Sequence, residues 1–200
     1  ALLKNEGPNS MLDVFDQQLA EAAARVVQRR QAYLKDYVPV FRECMNEVSG
    51  GGLEGDLEYQ SSIEGIEVEA FVEALTKDRG RDRARGTTSR GPHKDDIYAT
   101  LNGKSARAFA SQGQHRAFVL AMKIAEIRLL DQHLGYSPVL LLDDVSSELD
   151  EKRNSQLMSY LVSDAFRGQV FLTTTDRAWV RIDSDYSCFT IRDGVLEETQ

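Results

Sequence analysis

The sequence predicts an α/β fold in which parallel strands with flanking helices are preceded by part of a helical arm. Residues 12–48 carry apolar side chains at helical spacing, with charges between them, as in a long amphipathic helix. Residues 139–142 and 170–173 are apolar runs without alternation, which is typical of strands buried on both faces. A helical segment at 151–163 separates them, and a strand, a helix and a strand at this spacing indicate a parallel sheet.

The predicted arm helix has a proline inside it and a glycine run at its end. Pro39 interrupts the helical pattern, so we expect a kink or a break near Val38. The glycines at 50–52 end the helix. A long helix that is polar on one face suits an arm or a paired-helix projection, and the same periodicity also fits an ordinary bundle helix.

An extended segment at 53–63 and a helix at 67–77 precede a stretch rich in arginine and glycine, followed by a loop at 86–91. We call residues 77–94 the basic segment. Its candidate DNA-binding residues are Lys77, Arg79, Arg81, Arg83, Arg85, Arg90, His93 and Lys94. Such a cluster binds phosphate, or it is a solvated linker whose charge maintains solubility. His93 is either a phosphate contact or a hydrogen-bonded structural histidine.

Two dipeptides predict tight hairpins. Asn102-Gly103 lies between extended segments at 97–101 and 106–109, and Asp193-Gly194 marks a closing hairpin near residue 200. Between these hairpins, a helix is expected from about residue 114 to residue 133, because apolar residues recur on one face.

Composition limits the class of protein. A chain of 200 residues with 42% hydrophobic and 28% charged residues is ordinary for a globular protein with one core, or with a core and an arm. No apolar run is long enough to cross a bilayer, so no membrane association is expected. The net charge of -8 argues against a surface coated in positive charge for nucleic acid, but it permits a local basic patch. Cys44 and Cys188 could form a disulfide, but we expect two buried, reduced thiols, which indicates a cytoplasmic setting.

Two adjacent carboxylates follow the apolar run at 139–142. Asp143 and Asp144 lie where α/β sheets place their ligands, at the carboxyl end of a strand. A carboxylate there can hold Mg²⁺, and a second acid beside it can polarise an attacking water. The alternative is a strand that simply ends in an acidic turn.

The sequence SQGQ at 111–114 directly precedes the predicted helix. Ser111 and Gly113 would lie at the helix N-terminus, where free backbone N–H groups and the positive end of the helix dipole favour a phosphate. The alternative is that Ser111 is an ordinary N-cap. SQGQ alone is a weak signal, but SQGQ, a helix and then LLLDDVSSELD at 140–150 form a specific combination.

This order of motifs resembles the ABC-type ATPases. SQGQ resembles their signature motif, LLLDD their Walker B motif and SSELD their D-loop. The closest similarity is to the RecF family, on GPHKDD at 91–96, the Asn102-Gly103 hairpin, ASQGQ at 110–114 and LLDDV at 141–145. The resemblance is close over residues 91–178. It implies the C-terminal lobe of an ABC-type ATPase head at 87–200, preceded at 1–86 by the C-terminal part of a helical arm domain with its linker.

The resemblance also implies a role for each matching residue. The implied nucleotide-binding residues, which would contact ATP bound to the other protomer, are Ser111, Gln112, Gly113, Gln114, Ser147 and Asp150. Asp143 would hold Mg²⁺, and Asp144 would be the catalytic base at a position where most ABC proteins have Glu. Thr175 lies where ABC transporters carry a switch histidine. The shorter acid and the uncharged hydroxyl imply a slow, switch-like ATPase.

For the whole protein, the resemblance implies an ATP-dependent homodimer that binds double-stranded DNA and junctions of single- and double-stranded DNA. It would help to load RecA, with RecO and RecR, at gaps and stalled forks. The sequence contains no GxxxxGK[ST] P-loop, since GKS at 103–105 lies on a hairpin and Tyr98 occupies the position of the first glycine. The chain therefore looks truncated inside the arm, and we expect it to be inactive alone.

Three other functions fit parts of this pattern. An ABC transporter subunit would have a switch histidine and a helical subdomain before the signature motif. An SMC-like head would need a longer heptad run than residues 12–48 supply. A non-catalytic interaction fragment would explain the absence of a P-loop.

Overall fold

The computed structural model describes residues 3, 8–63, 65, 67–136, 138–143, 151–163, 168–180, 182 and 186–199. The chain divides into two compact units, Ala1–Leu129 and Leu130–Gln200. In chain order the elements are α1 (Asn9–Ser49), β1 (Gly55–Gln60), α2 (Val68–Arg85), β2 (Asp96–Leu101), β3 (Lys104–Ser105), α3 (Ala106–Phe109), α4 (Gln112–Leu134), β4 (Leu140–Asp143), α5 (Glu151–Leu161), β5 (Val170–Thr173), a 3₁₀ turn (Arg177–Trp179), β6 (Cys188–Arg192) and β7 (Val195–Thr199). The predicted α/β class is confirmed.

The first helix, α1, continues through Pro39 for 41 residues. The alternative of a break near Val38 is therefore wrong. Proline removes one backbone hydrogen bond from the helix, but its neighbours Val38 and Phe41 are buried and hold the chain in place. Gly50 ends the helix as predicted, with a φ of 65° that favours glycine and an N–H donated to Glu47 O at 3.1 Å.

Among the described residues of the first unit, helix α1 supplies the largest share of the core. Small residues on its N-terminal half allow a close approach, and they cluster with residues around α2: Ala20, Ala23, Ala24, Val27, Ile63 and Phe71. On its C-terminal half, β1 lies directly against the helix. A Cβ placed on Gly55 would come within 2.9 Å of Met45 Cγ and 3.0 Å of the Phe41 ring. Glycine is therefore required at the start of β1.

Helix α2 extends to Arg85, eight residues beyond the predicted end at residue 77. The first part of the basic segment is thus helical rather than irregular. Arginine favours helix, and the cost of Gly80, about 1 kcal/mol, is offset by burial of Phe71 and Leu75. Gly86 ends α2 with a φ of 70°, and the predicted loop at 86–91 follows.

Strands β1, β2 and β3 form an antiparallel sheet, with Gly55 opposite Leu101 and Gln60 opposite Asp96. The predicted turn is confirmed, because Asn102 and Gly103 both have positive φ, 50° and 73°. The strand expected at 106–109 is wrong: after the two-residue β3, this alanine-rich segment is the short helix α3. The sheet joins residues on both sides of the domain boundary expected at 86/87, and that boundary stays a prediction.

Helix α4 is fixed to α1 within the first unit by three side-chain contacts. The Tyr37 hydroxyl donates to Met122 O at 2.7 Å. The rings of Phe41 and Phe118 lie 4.8 Å apart. Arg128 binds both carboxylate oxygens of Glu47, at 3.1 and 2.6 Å. The C-terminal part of α1 therefore sets the position of the helix that begins at SQGQ.

The second unit contains the predicted parallel pair, in which β4 and β5 run from Leu140 opposite Val170 to Asp143 opposite Thr173. Burial on both faces is not observed, because Leu141 is 74% exposed and Phe171 is 53% exposed. These two residues lie opposite each other on the same face of the β4–β5 sheet. Within the described residues this face is exposed, and the alternate side chains on the other face are half-buried. The closing hairpin is confirmed by β6 and β7, whose turn residues Asp193 and Gly194 have φ of 51° and 79°.

Two further expectations concern membranes and thiols. Within the part of the chain that the structure describes, no helix is long and apolar enough to cross a bilayer. Cys44 and Cys188 are both free thiols, as expected, but only Cys44 is buried, and Cys188 is half-exposed.

Candidate functional site

Ser111 and Gln114 cap the start of α4 reciprocally. The backbone N–H of Gln114 donates to Ser111 Oγ at 3.3 Å, and the N–H of Ser111 donates to Gln114 Oε1 at 2.8 Å. This is a capping box, in which each side chain satisfies the other residue's backbone donor. The N-cap interpretation of Ser111 therefore holds.

The cap does not exclude an anion at the same place. Ser111 Oγ uses a lone pair in the cap, so its hydroxyl proton can still be donated. The backbone N–H groups of Gln112 and Gly113 lie in the first turn, where a helix supplies no acceptor. Ser111 and Gln112 are exposed, and Gly113 and Gln114 are half-exposed. The structure thus places all four SQGQ residues at one solvent-accessible, positively polarised helix end.

In the second unit, Asp143 ends β4 and meets a residue that sequence reasoning missed. The Thr173 hydroxyl donates to Asp143 Oδ1 at 2.5 Å across the paired strands. The sequence carried a signal for this contact, because Thr173 ends the second apolar run just as Asp143 follows the first. The contact fixes Oδ1 of Asp143, and within the described residues Oδ2 remains available to another partner.

Thr175 lies two residues beyond β5 and is exposed. It stands in a turn held by Thr174, whose hydroxyl oxygen accepts from Asp176 N at 3.2 Å. The Asp176 carboxylate in turn accepts from Ala178 N at 2.9 Å and caps the 3₁₀ turn. Thr175 is thus presented to solvent by a structured turn.

The remaining predicted residues of this unit, Asp144, Ser147 and Asp150, lie outside the described residues. Among the residues that are described, no group of three or more His, Cys, Asp or Glu could hold a metal ion. Mg²⁺ in nucleotide sites needs only one or two carboxylates, because water and phosphate oxygens complete its shell. Asp143, with one oxygen oriented by Thr173, fits such a site.

Arg79 and Arg90 of the basic segment are bound to carboxylates of the protein itself. Arg79, whose side chain is only 14% exposed, contacts Asp13 at 2.7 Å and Asp16 at 2.5 Å, and so connects α2 to α1. Arg90 contacts Asp78 at 2.6 Å, and its hydrogen bond holds the pKa of Asp78 below the usual range. Both side chains stabilise the fold.

The loop that follows α2 is fixed at several points. Asp82, 2% exposed, accepts from Ser89 N at 3.0 Å. Arg30 of α1 donates to Pro92 O at 2.6 Å. His93 Nε2 lies 3.2 Å from both the hydroxyl and the carbonyl oxygen of Thr88. These contacts favour the structural interpretation of His93, and they make the loop a defined surface.

The other cations of the basic segment differ in exposure. Arg83 is half-exposed and donates to Asn9 Oδ1 at 2.9 Å. Arg81 is 49% exposed and also contacts Asp78, at 2.7 Å. The lysines and arginines of the segment that are exposed, which we call the exposed basic set, are Lys77, Arg81, Arg85 and Lys94. They lie on α2 and on the fixed loop, where a phosphate backbone could reach them.

Comparison with known proteins adds to this geometry. No family model matches the chain. Proteins named DNA replication and repair protein RecF are 42% identical in Citrifermentans bemidjiense, over 98% of this chain and 55% of the relative, and 43% identical in Geobacter sulfurreducens, with the same shares. In Myxococcus xanthus the identity is 44%, over 85% of this chain and 47% of the relative. The chain thus spans about half the length of the curated relatives it matches.

Comparison with solved structures gives the same family as the sequence comparison. A structure of the recombination mediator protein RecF-ATP in the RecFOR pathway superposes with a TM-score of 0.82 and 32% identity, over 99% of this chain and 54% of that chain. A structure of SMC ATPases gives a TM-score of 0.51 at 18% identity, over 88% of each chain, and shows a shared fold alone.

Proposed function

Because the chain belongs to the RecF family, we propose that it is the part of a DNA replication and repair ATPase that closes on ATP held by a second protomer. The observation that carries this proposal is the capped, exposed start of α4, where Ser111 and the first-turn amides offer donors to an anion. The sequence contains no P-loop. A surface that contacts a triphosphate from one side only must therefore meet a nucleotide bound elsewhere.

The second unit carries the residues proposed to bind Mg²⁺ and to activate water. Asp143, oriented by Thr173 at Oδ1, would bind Mg²⁺ through its other carboxylate oxygen, Oδ2. The metal ion would neutralise charge that develops on the phosphate oxygens. Asp144 would accept a proton from the attacking water, Ser147 and Asp150 would contact the nucleotide, and the exposed Thr175 hydroxyl would donate to phosphate. Asp144 has a shorter side chain than the Glu of most ABC proteins, and Thr175 carries no charge. Hydrolysis should therefore be slow, as suits a switch.

DNA is the proposed second ligand. The exposed basic set faces solvent on α2 and its loop, so it can bind the phosphates of double-stranded DNA or of junctions with single strands. ATP-dependent pairing of two protomers would close them on the duplex. In the cytoplasm, the dimer would act with RecO and RecR in loading RecA.

Action in trans is tested with a full-length RecF-family protein that includes this segment and a P-loop. Ser111→Arg places a bulky cation where the γ-phosphate should approach. We expect ATP-driven dimerisation and hydrolysis to fall together, while each monomer keeps its affinity for ATP. Ser10→Arg, at an exposed serine of α1, is the matched control and should change neither.

Mixed dimers of two variants test whether Ser111 acts on the nucleotide of the other protomer. When Ser111→Arg protein is combined with protein lacking the P-loop lysine, one site of the mixed dimer carries both lesions and the other carries none. Partial hydrolysis should therefore return. Mixed dimers that form without recovered hydrolysis would contradict the proposal. The 200-residue chain alone is the negative control and should bind a labelled ATP analogue only weakly.

A further inference from the structure

A cleft opens beside the first turn of α4, within the first unit. It has a volume of about 310 Å³. Its walls are Leu101, Asn102, Lys104 and Ser105 from the hairpin, Phe109 and Ala110 from the end of α3, and Gln114 from α4. Gln114 is also the residue that caps Ser111. The cleft is therefore continuous with the start of α4, where the γ-phosphate is proposed to bind. The other residues of the cleft have no role in the proposed function.

The polar groups of the cleft are mainly hydrogen-bond donors. Gln114 Oε1 accepts from Ser111 N at 2.8 Å, and Asn102 Oδ1 accepts from Glu54 N at 2.7 Å. Because both amide oxygens are occupied by backbone donors, the two NH₂ groups remain to donate. Lys104 is exposed and can only donate. A ligand for this cleft must therefore be rich in acceptors, as phosphates, sugar oxygens and purine nitrogens are.

The apolar wall indicates what else the ligand contains. Phe109 is 72% exposed, although it stands two residues before Ser111 and beside the cleft. An aromatic face next to donors is the arrangement on which nucleic-acid bases stack. A flat ring joined to an acceptor-rich chain describes a nucleoside phosphate.

We propose that this cleft receives the base and ribose of the nucleoside triphosphate held by a second protomer, with the base on Phe109 and the ribose or an inner phosphate at Lys104. The inference rests on the proposed function, because it requires a nucleotide that another protomer presents. The volume of about 310 Å³ lies at the lower end of the range for small-molecule sites, about 300–1,000 Å³. It accommodates part of a nucleotide, and the other protomer holds the rest.

The test compares ATP with ribose 5-triphosphate, which has the same sugar and phosphates but no base. In the full-length protein, dimer dissociation constants are measured with each ligand at saturation. Saturation is checked on monomeric Ser111→Arg protein. Base stacking is worth a factor of about 5 to 150 per base, so the dimer should be at least about fivefold tighter with ATP.

Phe109→Ala should abolish this preference and leave the ribose triphosphate dimer unchanged, and Lys104→Gln should weaken both dimers. Both side chains are exposed, so the variants should fold normally. Phe15→Ala and Lys35→Gln, at exposed positions of α1, are the matched controls and should change nothing.

Two outcomes separate this inference from the proposed function. Dimers that form equally well with both ligands, or a base preference that survives Phe109→Ala, would overturn the inference and leave closure on ATP intact. Failure of every nucleotide to produce a dimer would overturn the proposed function, and the inference with it.

Discussion

Replacing Arg79 by glutamine removes a charge that α2 shares with two carboxylates of α1. Arg79 and Asp16 are 14% and 13% exposed and lie 2.5 Å apart, whereas Asp13 is 63% exposed. The variant therefore leaves one nearly buried carboxylate without its cation. Since the two helices come from segments far apart in the sequence, the contact can form only when α1 and α2 have packed together.

The magnitude follows from burial. A hydrogen bond to a charged group contributes about 1.5–3 kcal/mol, while a pair with an exposed partner such as Asp13 contributes about 0–1 kcal/mol. Arg79 Nε is buried without a hydrogen-bond partner among the described residues, which offsets part of this gain. We expect Arg79→Gln to lower the free energy of unfolding by about 2 kcal/mol. At typical urea dependence this moves the midpoint by on the order of 1 M.

The two units can be monitored separately. Trp179 is the only tryptophan and lies in the second unit, whereas the longest helix lies in the first. Arg79→Gln should therefore shift the unfolding curve recorded by far-ultraviolet circular dichroism, and the tryptophan fluorescence curve reports whether the second unit unfolds together with the first. Arg81→Gln is the matched control: Arg81 is 49% exposed, so its loss should be below about 1 kcal/mol.

A double-mutant cycle checks the cause. In an Asp16→Asn background, Arg79→Gln should cost much less than in the wild type, because the buried partner charge is already gone. Equal losses for Arg79→Gln and Arg81→Gln, or full additivity with Asp16→Asn, would refute the structural role of Arg79 between α1 and α2.

Three further predictions concern the site, the DNA surface and the thiols. In the full-length protein, Asp144→Asn should trap an ATP-bound dimer and Asp143→Asn should weaken Mg²⁺ binding and hence dimerisation, as followed by size-exclusion chromatography with ATP; equal dimerisation would contradict this division of roles. Neutralising the exposed basic set should weaken DNA binding similarly across sequences and reduce the salt slope by about 0.9 per lost phosphate contact. Arg79→Gln should leave that slope unchanged, and an unchanged slope for the whole set would identify it as a solvated surface. Burial raises the pKa of the Cys44 thiol to about 11, so at pH 8 only about one in a thousand is thiolate. A thiol reagent should therefore modify Cys188 alone in the native protein, and rapid native modification of Cys44 would contradict the burial.

The sequence by itself determined the features that depend on near neighbours. The turns at Asn102-Gly103 and Asp193-Gly194 require positive φ, which those residues adopt at low cost, so two hairpins could be read directly. The cap at Ser111 was predictable because its partner Gln114 is three residues away. The long apolar runs identified the parallel strands, since their hydrophobicity does not depend on which helix covers them.

Only the tertiary structure decided which partner each polar or apolar side chain has. Arg79 and Asp16 are 63 residues apart in sequence, so no local pattern separates this structural cation from the exposed ones around it. Thr173 could be assigned to Asp143 only from the register of two strands. The continuation of α1 through Pro39 and the exposure of Leu141 likewise depend on what packs nearby. Contact between distant residues is set by the fold as a whole, and local sequence does not encode it.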